Sequence, residues 1–246
     1  MASKLTIGLL ALGGLAAAGA QAQEISGGEL RLGFGGFLNS DTAVPDRDAD
    51  ARYTLEGSME LEFGRAAMQF DLSLDQFGLV DENARSGTLH GMYKPAGNLA
   101  AGAFIGFENS DIRDVTFYGV EGLFEGSSYG VEAYLLRSDV DEIDLSGTVG
   151  GIAVGYDALA DLRSGAKIVY GEFDRDESIA LYALTAEYRL SPATAISAEL
   201  GRFDNDAPGS NDIEGNYVGV MATFSFGPGQ STTFDRRGIV DLLPGF

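Results

Sequence analysis

The feature that most constrains this chain is an alternation of apolar and polar residues, repeated in segment after segment between Gly28 and Phe226. From Met68 to Asp75, for example, Met, Phe, Leu and Leu alternate with Gln, Asp, Ser and Asp. Successive side chains of a β-strand point to opposite faces, so the pattern predicts strands with one apolar and one polar face. Apolar faces toward lipid and polar faces toward an interior are typical of a transmembrane β-barrel.

Repetition of this pattern divides the chain into about twelve strand-length segments. Most of them have close to the roughly 9–11 residues that cross a bilayer at a tilt. The segments run approximately from Glu24 to Leu38, Arg52 to Phe63, Ala66 to Phe77, Ser86 to Lys94, Leu99 to Glu108, Asp114 to Phe124, Tyr129 to Arg137, Leu145 to Tyr156, Ser164 to Phe173, Ile179 to Leu190, Ala193 to Phe203 and Asn216 to Phe226.

Two kinds of connection alternate between these segments, and the short ones carry the Gly, Pro, Asn, Asp or Ser that tight turns require. The others are longer and acidic, as in Asn39 to Ala51 and Asp204 to Gly215. A soluble β-sandwich would also alternate, but short periplasmic turns opposite long outward loops are typical of bacterial barrels. The sequence therefore predicts an all-β, antiparallel transmembrane barrel in a Gram-negative outer membrane, formed by residues 23–226.

Residues 1–22 have the features of a cleavable secretory signal peptide. Lys4 precedes an apolar centre, and Ala20-Gln21-Ala22 provides the small residues of a cleavage site. No other stretch approaches the roughly 20 apolar residues that a membrane-spanning helix needs. We therefore expect the chain to be exported and to enter a membrane through its strands.

The chain is strongly acidic, with 37 Asp and Glu residues against 16 Lys and Arg residues and a formal net charge of −21. This charge argues against binding to nucleic acid, whose phosphates it would repel. The absence of Cys excludes disulfides and thiolate chemistry. The single histidine, His90, is expected to have a structural role, because hydrolysis by a histidine also needs a positioned carboxylate and a nucleophile. We therefore expect no enzymatic activity.

Two stretches resemble the Gram-negative porins. Leu184 to Gly201, which reads LTAEYRLSPATAISAELG, is similar to a strand-turn-strand unit of that family, in which Tyr and then Leu-Ser end one strand and Thr opens the next. Glu24 to Phe34, which reads EISGGELRLGF, resembles the family's first strand. The resemblance implies a porin-like barrel of the alphaproteobacterial type. Familiar porins of this type have about sixteen strands and a constriction loop, so a chain with fewer segments and no long third loop gives less support to wide-pore conductance.

The alternation also assigns charged side chains to the interior, where carboxylates outnumber bases. An excess of carboxylates in a pore favours cations, so we expect an outer-membrane channel for passive, mildly cation-selective diffusion of small solutes. Barrels of about 8 strands are filled by side chains and those of 16–18 strands leave a channel, so a closed interior in which these groups pair is the alternative. The predicted pore-lining residues are Arg31, Glu56, Glu60, Glu62, Asp71, Asp75, Glu121, Glu132, Lys167, Glu187, Arg189 and Glu199.

The acidic loops support a second hypothesis, a non-conducting surface barrel that serves adhesion, divalent-cation binding or envelope integrity. Asp46, Asp48 and Asp50 are similar to the start of a calcium loop, but Ala51 and Gly57 stand where such a loop has Gly and Glu. We therefore expect no cofactor beyond weak capture of Ca²⁺ or Mg²⁺ by the loops. The expected partners are outer-membrane lipid, lipopolysaccharide and small solutes or ions, and both monomers and oligomers fit the sequence.

The alternating pattern ends at Phe226, where Gly227-Pro228-Gly229 interrupts it, and Pro244 does not fit a paired strand. Residues 227–246 are therefore predicted to form a periplasmic C-terminal tail. Its apolar residues could form a short amphipathic helix that plugs or caps the lower mouth of the barrel, and a partly ordered tail is the alternative. These apolar residues are Phe234, Ile239, Val240, Leu242, Leu243 and Phe246.

Overall fold

The computed structural model describes residues 24–40, 51–77, 82–110, 113–140, 145–206, 213–229 and 231–242. The predicted signal peptide and the acidic triplet Asp46, Asp48 and Asp50 lie outside this part of the chain. The helical elements in the described residues are two 3-10 turns, Asp174–Asp176 and Val240–Leu242. Neither is long and apolar enough to cross a membrane. The strands are β1 (Glu24–Ser40), β2 (Ala51–Phe63), β3 (Ala66–Phe77), β4 (Glu82–Ala96), β5 (Leu99–Ser110), β6 (Asp114–Glu125), β7 (Tyr129–Val140), β8 (Leu145–Leu159), β9 (Leu162–Phe173), β10 (Glu177–Ser191), β11 (Thr194–Asp206) and β12 (Ile213–Phe226).

Each strand pairs in antiparallel fashion with its neighbours in sequence, and β1 pairs with β12 to close the sheet into a barrel. The closing register runs from Gly28 opposite Phe226 to Ser40 opposite Gly215. Closure leaves no open sheet edge, so the ladders satisfy the backbone of each strand without water. The predicted all-β antiparallel barrel of about twelve strands is confirmed.

The two ends of the barrel differ in their connections. Tight turns such as Gly64-Arg65 and Gly97-Asn98 lie at one end, which we name the turn end. The start of β1 and the end of β12 lie at this end too. The connections that are longer in the sequence join strands at the opposite end, which we name the loop end.

The outer face of the barrel is apolar. Leu72 on β3 is 65% exposed, whereas the preceding Asp71 is 1% exposed and points inward. The same contrast between exposed apolar and inward polar side chains recurs around the barrel. An apolar belt bordered by aromatic side chains is the surface of a barrel that spans a membrane. Exposed tyrosines near the turn end are Tyr93, Tyr129, Tyr156 and Tyr188.

A charge placed on this belt should impair insertion. Leu72 lies near the middle of β3, so we expect Leu72→Arg to lower the free energy of unfolding in a bilayer by about 2–4 kcal/mol. Ser197→Arg is the matched control, because Ser197 on β11 lines the interior cavity. Reversible denaturant unfolding in lipid vesicles measures both changes. An equal loss at the two positions would contradict the assignment of the outer face.

The interior is packed in two different ways. From the middle of the barrel toward the loop end, inward side chains of β5 to β12 form an apolar layer. On β2 to β4 the buried inward side chains are mostly polar or charged, and such groups need partners when they leave water. The C-terminal segment supplies many of these partners. The apolar layer consists of Phe104, Phe117, Leu136, Val149, Val169, Leu181, Ala183, Phe203, Tyr217 and Leu242.

Candidate functional site

The chain continues past β12 into the interior of the barrel. Gly227 has a φ of 90°, a conformation that glycine adopts without steric cost. The N–H of Gly229 then donates to the carbonyl oxygen of Ser26 on β1. From this turn, residues 231–242, which we name the lumenal tail, run through the barrel from the turn end to the loop end.

The lumenal tail has an irregular backbone with several bends, and its one helical element is the 3-10 turn Val240–Leu242. The predicted amphipathic helix is therefore wrong for the described part of the segment. Carboxylates of the wall accept hydrogen bonds from backbone N–H groups of the tail, because an N–H group that lies away from water needs a partner. Near the turn end Thr233 donates to Glu60 at 2.9 Å, and near the loop end Val240 donates to Glu108 at 2.9 Å.

Phe234 anchors the part of the lumenal tail that lies nearer the turn end. Its ring is buried against Ala67, Met92 and Ala100, and full burial of such a side chain stabilises by about 1.5–3 kcal/mol. The amide side chain of Gln69 holds the backbone of Phe234 on both sides. It accepts a hydrogen bond from the Phe234 N–H at 3.0 Å and donates one to the carbonyl oxygen at 2.7 Å.

Arg236 is 7% exposed and reaches the wall formed by β2 and β3. Its guanidinium lies 3.1 Å from Asp75 and 3.3 Å from Glu56. It also donates to the hydroxyl of Ser73 and pairs with Asp241 of the tail itself. A buried guanidinium is tolerated when carboxylates and other acceptors surround it in this way.

Arg237 is 5% exposed and points to β6 and β7. Its Nε donates to Glu121 at 3.1 Å, and a terminal nitrogen pairs with Glu132. The guanidinium carbon lies 4.5 Å from the ring centroid of Tyr134, within the range of a cation–π interaction. The hydroxyl of Thr88 donates to the backbone carbonyl of Arg237 at 2.9 Å. The two arginines thus contact two separate parts of the wall, one formed by β2 and β3 and the other by β6 and β7.

These tail groups are charged in the interior. Carboxylates of the wall surround the guanidinium groups of both Arg236 and Arg237. The carboxylate of Asp235 lies 3.2 Å from the guanidinium of Arg31 on the wall. The lumenal tail is therefore held by ion pairs as well as by packing.

His90 lies next to the same contacts and is fully buried. Its Nδ1 is 2.6 Å from Glu121, and its Nε2 is 2.8 Å from Asp71. The ring stacks on Phe234 with centroids 6.2 Å apart. His90 thereby fixes the orientation of Glu121, which in turn accepts a hydrogen bond from Arg237.

A cavity of about 630 Å³ remains between the lumenal tail and the wall formed by β7 to β12. Arg163 and Arg189 lie on its rim at the turn end. Deeper in the cavity Lys167 is 2.9 Å from Glu199, and Glu187 lines the same wall. Charges of both signs therefore line the space that the lumenal tail leaves free.

The twelve residues predicted to line a pore fall into three groups, and their role in conduction stays a prediction. Six contact the lumenal tail: Arg31, Glu56, Glu60, Asp75, Glu121 and Glu132. Four lie around the cavity: Lys167, Glu187, Arg189 and Glu199. The last two pair along the wall, Glu62 with Lys94 at 2.7 Å and Asp71 with His90 at 2.8 Å.

The alternation does not assign Arg236 and Arg237 to the site, because they follow the last strand. Their signal lies in charge alone. The interior predicted from the strands has more carboxylates than bases, and the tail carries two adjacent arginines in a chain of net charge −21. A carboxylate-rich interior attracts such a segment, and this reasoning could have found both residues.

The entry of the lumenal tail depends on close backbone approach at Gly27. A Cβ added there would lie 2.2 Å from the carbonyl oxygen of Ser231, whereas one added at Gly57 meets nothing within 4 Å. Overpacking costs about 1–3 kcal/mol, so we expect Gly27→Ala to speed amide hydrogen exchange at Phe234 and Val240 by about one to two orders of magnitude. Gly57→Ala is the matched control, and equal exchange in both variants would mean that the tail does not enter at Gly27.

Comparisons with known proteins identify the fold. No family model and no curated protein matches the chain. Among solved structures, the NanC porin is similar with a TM-score of 0.61 at 9% sequence identity, over 80% of this chain and 98% of that one. A KdgM porin in complex with disordered oligogalacturonate has a TM-score of 0.58 at 11% identity, over 80% of this chain and 99% of that one.

Identities this low establish likeness of fold and leave cargo open. The resemblance to porins predicted from the sequence is confirmed at the level of fold, while the alphaproteobacterial type stays a prediction. Together with the apolar outer face, the likeness shows that the chain has the barrel fold of the outer-membrane porins.

Proposed function

We propose that this protein is an outer-membrane porin for small solutes and that its lumenal tail keeps the pore closed while it occupies the interior. The observation that carries the proposal is the tail itself. A segment that follows the last strand fills one side of a porin-type barrel and is held there by side chains of the wall. Solutes pass when the tail leaves.

The contacts of the lumenal tail suit a reversible closure. Carboxylates that pair with Arg236 and Arg237 can be rehydrated when the tail leaves, so its departure exposes groups that water solvates well. The tail also contributes Leu242 to the apolar layer, and Ile239 packs against that layer. Departure of the tail would therefore open the layer and join the cavity to the vacated space.

Cation preference is the finer part of the proposal. When the two arginines leave, Glu56, Asp75, Glu121 and Glu132 face the vacated lumen. Carboxylates in a narrow lumen attract cations and repel anions. Basic residues such as Lys167 remain on the cavity wall, so the expected selectivity is mild.

A non-conducting surface barrel is the second candidate, and the packed interior favours it. The lumenal tail and the apolar layer both lie in the interior of the barrel, where they would obstruct the passage of solutes. In this case the acidic loops would act at the surface, through weak capture of Ca²⁺ or Mg²⁺ and contact with lipopolysaccharide.

Ion conductance in planar bilayers tests the proposed function. For the wild-type protein we expect brief, discrete openings separated by long closed periods, because the tail leaves the lumen rarely. Swelling of proteoliposomes in small neutral solutes should be slow for the same reason. A flat current record for the wild type and for every variant that loosens the tail would favour the surface barrel.

A further inference from the structure

We infer that the positions occupied by Arg236 and Arg237 form a binding site for short arginine-containing peptides, which compete with the lumenal tail. The inference rests on the proposed function, because the site becomes free when the tail leaves. The tail itself is the observation that points to a ligand. A segment with two adjacent guanidinium groups is seated on the wall by side-chain and backbone contacts that a separate peptide can also make.

The first guanidinium position lies between β2 and β3. Asp75 and Glu56 lie 3.1 and 3.3 Å from the nitrogens of Arg236, and the hydroxyl of Ser73 accepts a further hydrogen bond. Several acceptors arranged around one cation match the planar fork of a guanidinium better than the compact ammonium of lysine. The position is therefore expected to prefer Arg over Lys.

The second guanidinium position lies between β6 and β7. Glu121 and Glu132 accept from two different nitrogens of Arg237, and the ring of Tyr134 faces its guanidinium. Carboxylates combined with an aromatic face bind a guanidinium through both ion pairing and stacking. Since Arg236 and Arg237 are adjacent, the two positions are separated by the length of one dipeptide.

Backbone contacts extend this recognition to a peptide. Gln69 pairs with both backbone groups of Phe234, and Thr88 donates to the carbonyl of Arg237. These contacts recognise the peptide groups of a main chain, which a polyamine or free arginine lacks. The apolar pocket around the Phe234 ring adds a preference for an aromatic residue two positions before the arginine pair. The favoured sequence is therefore aromatic, any residue, Arg, Arg.

The site can be reached from the turn end. Glu132, Arg236 and Arg237 line the cavity of about 630 Å³ that remains beside the tail, and Arg189 lies at its rim. Loss of the tail cations leaves the site negative. Glu132 loses the cation with which it pairs among the described residues, and for Glu56 the next described cation is Arg31 at 3.8 Å.

Equilibrium dialysis tests the inference on the full-length protein in detergent. The probe is labelled N-acetyl-Phe-Ala-Arg-Arg-amide, and the proteins are the wild type, the Arg236→Gln/Arg237→Gln variant and an Arg202→Gln control. We expect the double variant to bind the probe at least about tenfold more tightly than the wild type and the control, because a competing tail lowers apparent affinity by the fraction of free sites. The Lys-Lys analogue should bind more weakly to the double variant.

Two results would overturn the inference. One is equal affinity of the double variant and the wild type for the probe, and the other is equal affinity of the double variant for the Glu-Glu analogue. Conductance of the same double variant is read separately. A variant that conducts but does not bind the probe would refute the peptide site and leave the porin proposal standing.

Amide hydrogen exchange of the wild-type protein with the probe tests the inference independently if the double variant does not fold. Saturating probe should displace the lumenal tail and speed amide hydrogen exchange at Phe234 and Val240, whereas the Glu-Glu analogue at the same concentration should not. Unchanged exchange at saturating probe would contradict competition with the tail.

Discussion

The Arg236→Gln/Arg237→Gln variant is expected to open far more often than the wild type in planar bilayers. Hydrogen bonds to charged groups contribute about 1.5–3 kcal/mol each, so loss of one such interaction per arginine weakens docking of the tail by about 3–6 kcal/mol. A change of about 5.5 kcal/mol moves a two-state equilibrium by about four orders of magnitude. We therefore expect the open probability to rise by about two to four orders of magnitude until it saturates.

The matched control is Arg202→Gln. Arg202 also makes ion pairs, with Asp204 and Glu214, but its side chain is largely exposed at the loop end. Exposed pairs contribute about 0–1 kcal/mol, so the control should conduct like the wild type. If the double variant folds but opens no more often than the control, the two arginines do not hold the pore closed.

The second large effect concerns ion selectivity in the opened variant. We expect reversal potentials to show preference for K⁺ over Cl⁻ at low salt and little preference at about 1 M salt, because the Debye length falls from roughly 30 Å at 0.01 M to roughly 3 Å. Adding Glu56→Gln, Glu121→Gln and Glu132→Gln removes three carboxylates that each lose a cation when the arginines leave. The preference at low salt should then be lost or reversed.

Glu172→Gln in the same opened background is the matched control. Glu172 accepts a hydrogen bond from the exposed Tyr170, and both lie on the outer face of β9. The Glu172→Gln substitution changes the net charge of the chain by the same amount as each single lumenal substitution. Loss of cation preference in this control would mean that selectivity follows net charge and not the lumenal wall.

The barrel could be predicted because lipid imposes a simple rule on each strand. On β3, Leu72 faces outward and Asp71 inward, as the alternation requires. The end of β12 at Phe226 is also confirmed, because the Gly-Pro-Gly that follows cannot continue a paired strand. The apolar–polar period of a strand and the residues of a turn are local properties, so a single sequence reveals them.

The interior was less predictable because its packing is not local. On β6, Val115 and Phe117 face inward while Tyr118 and Val120 face outward, so both faces are apolar and the alternation gives no sign of an apolar layer. The lumenal tail meets β2 and β3 more than 150 residues away in sequence. No periodicity encodes such a contact, and charge complementarity between Arg236 and the wall was the available signal.

Tryptic digestion of the folded wild-type protein tests the central claim most directly. Trypsin cuts after accessible arginines, so mass spectrometry reports whether the chain is cut after Arg236 or Arg237. With both arginines buried in the lumen, we expect these bonds to remain intact in the folded barrel and to be cut promptly once heat unfolds it. Prompt loss of the segment beyond Arg237 from a barrel that is otherwise folded would contradict a tail seated in the lumen.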